Sequence, residues 1–328
     1  MKLAVLFPGQ GSQKVGMGLD LLEKTPLARE LFDKVDNITG RKVSEIFLHG
    51  PESELNQTKN TQIAIVIISA LLTLLLKDEL KKKNLNFIPA ACCGHSLGEF
   101  TALWFCGLLS LDDLIKIVSI RGNLMQNAPT GSMAAVLNLI KEQIESLLSL
   151  DDFKNKIIIA NYNSLTQLVI SGERTAIEEI VPKIKSLGGK AIVLPVSGAF
   201  HSPLMDLPSK EFTKELNKLQ IGSNINIPIF QNVDGEPSID VNQIKEKINK
   251  QMTSSVLWTQ TINNLAGAGI NTVVEIGPGK VLTGLVKKIK PDVDCYNVCD
   301  YASLIEFVSV YTSLRGGSES RRGNLLTE

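Results

Sequence analysis

Arginine is scarce in this chain of 328 residues. Lys and Arg together number 34, yet only seven are Arg, and three of those (Arg315, Arg321, Arg322) fall in the last fourteen residues. Four remain in the body, Arg29, Arg41, Arg121 and Arg174, and each is a candidate for a specific task. Asp and Glu also number 34, so the formal net charge is zero and no global field draws the chain to nucleic acid or to a membrane surface. Histidine occurs three times and cysteine five. Neither that supply nor the isolated Cys295-x3-Cys299 spacing assembles a zinc site. The cysteines, all in apolar surroundings, read as buried reduced thiols. Long apolar runs are also missing. The longest covers residues 63–76, is broken by Ser69 and Thr73, and falls short of the ~20 residues that span a bilayer. It reads as a buried helix, and the chain as soluble. Leu3–Phe7 is too short for the apolar part of a signal peptide and suits a buried strand.

With 44% apolar residues, a chain of this length buries a core without disulfides or a structural metal. Several unalternating apolar runs end in glycine and lead into helical patterns: Leu3–Phe7 before Pro8-Gly9, residues 89–93 before Gly94, and Thr272–Ile276 before Gly277-Pro278-Gly279. Such runs mark parallel strands covered on both faces, and ligand sites form at the carboxyl ends of such strands. The middle of the chain differs. Strands over 133–137, 157–160, 167–171 and 190–196, with helices over 141–148 and 174–187, give the order β-α-β-β-α-β. That is the ferredoxin-like arrangement. The expected fold class is therefore α/β: a larger α/β-hydrolase-like domain with a parallel sheet core, residues 1–129 and 198–314, and an inserted ferredoxin-like domain, residues 130–197. Residues 315–328, without apolar periodicity, read as a disordered or appended tail.

The strongest local signal is Gly94-His95-Ser96-Leu97-Gly98. It matches the G-x-S-x-G nucleophile elbow and sits, as the chemistry requires, between an apolar run and a helical one. The sharp turn pushes the serine oxygen into the crevice, and it aims the Leu97 backbone N–H at a developing oxyanion. A serine needs a base. His49 lies in a polar loop, and the side chain of His95 diverges from that of Ser96, so His95 is better placed to order the site. His201 lies on the connection leaving the inserted domain, which can carry it over the crevice; catalytic and structural readings of it stay open on position alone. No acid stands out as a third member. Asp206 and Asp234 are available, but both read as solvated surface groups, and an imidazole held by a carbonyl or an amide would serve instead.

Five segments occur in one order: FPGQGSQ (7–13), GHSLGEF (94–100), GAFHSPLM (198–205), QMTSSVLW (251–258) and EIGPGKVLTGL (275–285). On these the chain, from residue 1 to about 314, resembles the malonyl-CoA:acyl carrier protein transacylases of type II fatty acid synthesis. The resemblance implies that Ser96 is the acylated nucleophile and His201 its base. It makes Gln10 and the Leu97 N–H the oxyanion hole and Gln251 the residue that orients His201 through its backbone carbonyl. It makes Arg121 the group that holds the malonyl carboxylate, a role for which a planar guanidinium is apt. Asn161 and Asn163 become substrate contacts facing the site from the inserted domain, beside His95. The implied reaction is ping-pong transfer of a malonyl group from malonyl-CoA to the thiol of holo acyl carrier protein. It needs no cofactor and involves neither nucleic acid nor membrane. The expected enzyme is a monomer of the cytoplasm, or of a plastid-type organelle if a transit peptide has been removed.

The sequence departs from the family pattern at Ser255 (usually Pro), Leu257 (usually Arg), Phe100 (commonly Tyr) and the bulky Trp104-Phe105-Cys106. Three alternatives stay open: an acyltransferase loading malonyl or substituted-malonyl units for polyketide synthesis, a serine esterase or thioesterase, and a non-catalytic carrier-binding relative. The Lys81-Lys82-Lys83 run reads as a solvated helix end before it reads as a carrier dock.

Overall fold

The computed structural model describes residues 2–196, 198–225 and 227–323, with side chains to residue 315. Two sheets organise the molecule. The first has six strands: β1 (Leu3–Phe7), β2 (Ala91–Gly94), β7 (Ile229–Phe230), β8 (Pro237–Ser238), β9 (Thr272–Ile276) and β10 (Asp294–Val298). They lie in the order β10-β9-β1-β2-β7-β8, and every pairing is parallel except the short β7–β8 edge.

β1 shows why the unalternating pattern arises. Leu3, Val5 and Phe7 pack into the core on one face, and Ala4 and Leu6 into the core on the other, so both faces must be apolar. The 63–76 run lies within the helix Thr58–Lys82, which is buried almost all round beneath this sheet. Its interior Ser69 and Thr73 hydroxyls donate to the carbonyls of Ile65 and Ser69 at 2.8 and 2.7 Å, which satisfies them inside the helix. Lys82, at its end, is exposed and pairs with Asp78 and Glu79. No helix among the described residues is long and apolar enough to cross a membrane.

The second sheet is antiparallel: β3 (Ser132–Leu137), β4 (Ile157–Ser164), β5 (Gln167–Gly172) and β6 (Lys190–Val193), in the order β4-β5-β3-β6. Helices Lys141–Leu148 and Arg174–Ser186 close it around a core of its own that includes Val136, Ile144, Phe153, Ile170 and Ile180. This is the ferredoxin-like order. The two ends of the excursion meet in an antiparallel bridge between Thr130 and Gly198. β4 runs four residues past the expected end, because Asn161–Ser164 go on pairing with β5 through two register irregularities. The same strand is bridged on its other side by Val256.

Of the cysteines, all free, only Cys92 and Cys93 are fully buried; Cys106, Cys295 and Cys299 are half-buried. The final helix, Tyr301–Gly323, carries the backbone into the segment expected to be a tail, and residues 324–328 lie outside the described residues.

Candidate active site

The elbow follows β2. Ser96 sits at φ +50°, a left-handed conformation that costs a non-glycine residue about 1–3 kcal/mol and persists only where its surroundings over-determine it. The flanking glycines make the turn possible. A Cβ on Gly94 would lie 2.0 Å from the Gly98 carbonyl carbon, and one on Gly98 would lie 2.0 Å from the Phe7 carbonyl oxygen. Asn232, just past β7 and buried, braces both sides of the turn. Its Oδ1 accepts from the Ser96 N–H at 2.6 Å, and its Nδ2 donates to the Gly94 carbonyl at 2.7 Å.

The Ser96 hydroxyl donates to His201 Nε2 at 2.7 Å. His201 Nδ1 lies 3.0 Å from the Gln251 carbonyl and 3.1 Å from that of Ser254. Carbonyls only accept, so Nδ1 carries the hydrogen and Nε2 is left with the lone pair that faces Ser96. Burial, aided by the nearby Arg121 charge, pushes the imidazole down to about 3, so it is neutral, with its Nε2 lone pair free, at any working pH. His201 is itself in the left-handed region, at φ +58°. No carboxylate among the described residues completes a triad: Asp206 is exposed and paired with Lys210, and Asp234 is paired with Lys247.

Arg121, on the helix Leu111–Gln126, is 1% exposed. Its Nη1 donates to Gln62 Oε1 at 2.9 Å, and its Nη2 donates to Ser96 Oγ at 3.2 Å and to Gln251 Oε1 at 3.0 Å. Burial pulls it down to about 10, still far above working pH, so it is charged. The Phe100 ring lies 5.3 Å from the guanidinium carbon, an apolar platform on which a tyrosine hydroxyl would need its own partner. The Arg121 Nε–H is buried and has no acceptor among the described residues, an open donor of the kind an anionic ligand satisfies.

These groups line one cavity of about 240 Å³ walled by both sheets. Ser96, Leu97, Gln10, Arg121, His201 and His95 approach from the elbow side, and Asn161 and Asn163 from β4, with Met125, Met133 and Phe200 as apolar lining. Eight of the nine expected site residues therefore share the cavity. The ninth, Gln251, lies beneath it at 1% exposure and reaches it through its partners. The Leu97 N–H, at the start of the helix Gly98–Phe105, has no acceptor among the described residues, as an oxyanion donor requires. Gln10 is tethered by a long bond from Nε2 to Thr58 Oγ1 at 3.4 Å.

His95 turns away from Ser96: its Nε2 lies 2.8 Å from Asn163 Oδ1, and its ring packs edge-on to Trp258. His49 is exposed beside Glu45. The Ser255 hydroxyl donates to the Ile159 carbonyl at 2.7 Å.

Sequence reasoning missed Asn232, Gln62 and Glu99. Asn232 follows β7 closely, and a polar residue just past the carboxyl end of a parallel strand was the signal available. Gln62 had a weaker one, an amide opening an apolar helix.

Residues 5–303 match the model of the acyl transferase domain family. A malonyl CoA-acyl carrier protein transacylase of Synechocystis sp. is 39% identical over 298 residues, 91% of this chain and 97% of that protein. The crystal structure of a transacylase of the same name from Clostridium perfringens superposes with a TM-score of 0.87 at 35% identity, covering 97% of this chain and all of that one. A malonyl-transacylase solved in complex with its type II PKS acyl-carrier protein superposes at 0.88 with 32% identity, covering 94% of this chain and 99% of that one.

Proposed function

Since the chain belongs to the acyl transferase domain family, and within it to the malonyl CoA-acyl carrier protein transacylases, we propose that it moves malonyl groups from malonyl-CoA to acyl carrier protein through an ester on Ser96. The observation that carries this reading is a neutral Ser96–His201 dyad that shares its serine oxygen with a buried arginine.

Nε2 of His201 takes the Ser96 proton as the oxygen attacks the thioester carbonyl carbon. The Arg121 Nη2–H, already on Ser96 Oγ, favours the oxygen that is losing its proton. The Leu97 N–H and Gln10 receive the oxyanion. The carbon–sulfur bond breaks, and CoA leaves with the proton returned by His201. The thiol of the carrier's prosthetic arm then enters, His201 deprotonates it, and the steps run in reverse. Arg121 supplies selectivity. A malonyl carboxylate gives its open donor a partner, whereas an acetyl group would leave a buried guanidinium short of one. The apolar lining keeps water from the ester until the carrier arrives.

Intact-mass measurement tests this. Wild type mixed with malonyl-CoA gains a malonyl-sized adduct that holo acyl carrier protein discharges, and Ser96→Ala gains none. Equal labelling by acetyl-CoA overturns the malonyl assignment. Release of free malonate in place of transfer would make the protein a hydrolase. The likeness to a transacylase solved with a PKS carrier supports polyketide loading as a second reading. Faster discharge by a polyketide carrier than by a fatty acid carrier would decide for it.

A further inference from the structure

Glu99 lies three residues past the nucleophile, 1% exposed, and the mechanism above gives it no task. We propose, resting on the malonyl reading, that Glu99 is the positioning residue of the acyl pocket: as a carboxylate it holds Arg121 through Gln251 while the pocket is empty, and it takes up a proton from solvent when a malonyl carboxylate pairs with Arg121.

The positioning half follows from one amide. Gln251 Nε2 donates to a Glu99 oxygen at 2.7 Å and to the Ser96 carbonyl at 2.8 Å, while its Oε1 accepts from Arg121. Turned over, that amide would set its oxygen against a carboxylate and a carbonyl, and its NH2 against a guanidinium. Glu99 thereby selects the orientation that presents an acceptor to Arg121. The backbone of the same Gln251 holds His201.

The proton half follows from charge. The titratable groups that face Glu99 are Arg121 and the Cys93 thiol, and burial holds that thiol protonated. Its other partners are neutral donors: Gln251, Gln231 Nε2 at 3.1 Å and the Asn232 backbone. The empty pocket thus carries one cation and one anion. A second carboxylate would set two anions on one cation away from water, and the weaker acid gives way by protonation. Burial already pushes Glu99 up to about 7. An acceptor for the new O–H is within reach: Gln231 Oε1 is buried without a partner among the described residues, and turning that amide presents it to Glu99 at the cost of the 3.2 Å bond from Nε2 to the Ile244 carbonyl.

Above about pH 7 the empty site holds Glu99 ionised, so malonyl binding must draw a proton. Affinity then falls as pH rises, by at most about tenfold per unit.

The test is calorimetry of malonyl-CoA binding to Ser96→Ala at pH 8, in buffers of different ionisation heat. Uptake approaching one proton per ligand is expected. Acetyl-CoA, with the same phosphates, takes up none, and neither does Ser96→Ala/Glu99→Gln with malonyl-CoA. Binding without uptake, or uptake that persists in the Glu99→Gln protein or with acetyl-CoA, overturns the proposal and leaves the transacylase reading intact. No binding of malonyl-CoA together with no adduct on wild type overturns both. If Glu99→Gln does not fold, the wild type still decides: KM for malonyl-CoA climbs toward tenfold per unit between pH 7.5 and 8.5 while that for acetyl-CoA stays level. Parallel pH profiles for the two overturn the proposal.

Discussion

Replacing Asn232 by alanine removes both braces of the elbow at once. The Ser96 N–H loses a 2.6 Å acceptor and the Gly94 carbonyl a 2.7 Å donor, at a position where Asn232 itself is 1% exposed and water has no ready access. A buried polar group left unpaired costs about 1–3 kcal/mol, so two cost about 2–6 kcal/mol. Ser96 also loses part of what offsets the roughly 1–3 kcal/mol that its left-handed backbone costs, so the strained turn is freer to relax. The chain can relax the turn to recover some of this, and the relaxation moves the serine oxygen off His201. The loss is therefore divided between stability and rate. Urea unfolding reads the first part, and the rate of malonyl-adduct formation reads the second. Together they should account for at least about 2 kcal/mol, which is thirtyfold if all of it falls on acylation. Asn232→Asp keeps an acceptor for the Ser96 N–H and sets an oxygen against the Gly94 carbonyl, so it should fall between alanine and wild type. Asn264→Ala, which removes amide bonds to Gly235 and Glu236 at a surface helix, is the control. A variant Asn232→Ala that unfolds and acylates like that control would refute the bracing argument.

Arg121→Ala should lower the preference for malonyl-CoA over acetyl-CoA by roughly 10²–10⁴, the worth of two charge-assisted hydrogen bonds at about 1.5–3 kcal/mol each. Arg121→Lys should recover only part of it, and competition assays with mixed donors read the ratio directly. At saturating malonyl-CoA, acylation should stay level from pH 8 to below pH 6, because His201 is pushed down to about 3 and does not charge in that range. A rate that falls through the ordinary histidine value near 6.5 would show that the base is not the buried neutral ring described. Gly98→Ala places a methyl carbon 2.0 Å from the Phe7 carbonyl oxygen on β1 and should cost about 3 kcal/mol or more in denaturant unfolding. Gly107→Ala, at φ +84° with nothing within 4 Å, should cost only about 1 kcal/mol.

Groups that announce themselves by local pattern were legible: Ser96 by its turn between strand and helix, β1 and β9 by apolar runs without alternation, the β3–β6 unit by its order of elements. Arg121 stood out by scarcity. His201 was ambiguous by position, because its role depends on two carbonyls that arrive from residues fifty positions along the chain. Glu99 was silent for a different reason. In sequence it is one more acidic residue in the first turn of a helix, a place where carboxylates are common and usually solvated. Only burial turns it into a charge that needs partners, and its partners come from Gln231 and Gln251. The extension of β4 was missed because polar asparagines look like a strand's end. Here they line the cavity beside the reacting groups while their backbone continues to pair.

The 251–258 segment has three masters. Its first residue holds His201 and Arg121, its Ser255 and Val256 bond the backbone of β4, and its Leu257 N–H donates to the Asn232 carbonyl. Any recombination of the ferredoxin-like unit between relatives must therefore carry this distant segment with it. A graft cut only at residues 130 and 198 would inherit its substrate-facing strand from one parent and the strip that aligns base, arginine and elbow from the other. Chimeras exchanged as two pieces, 130–198 with 251–258, should keep transfer rates that one-piece chimeras lose.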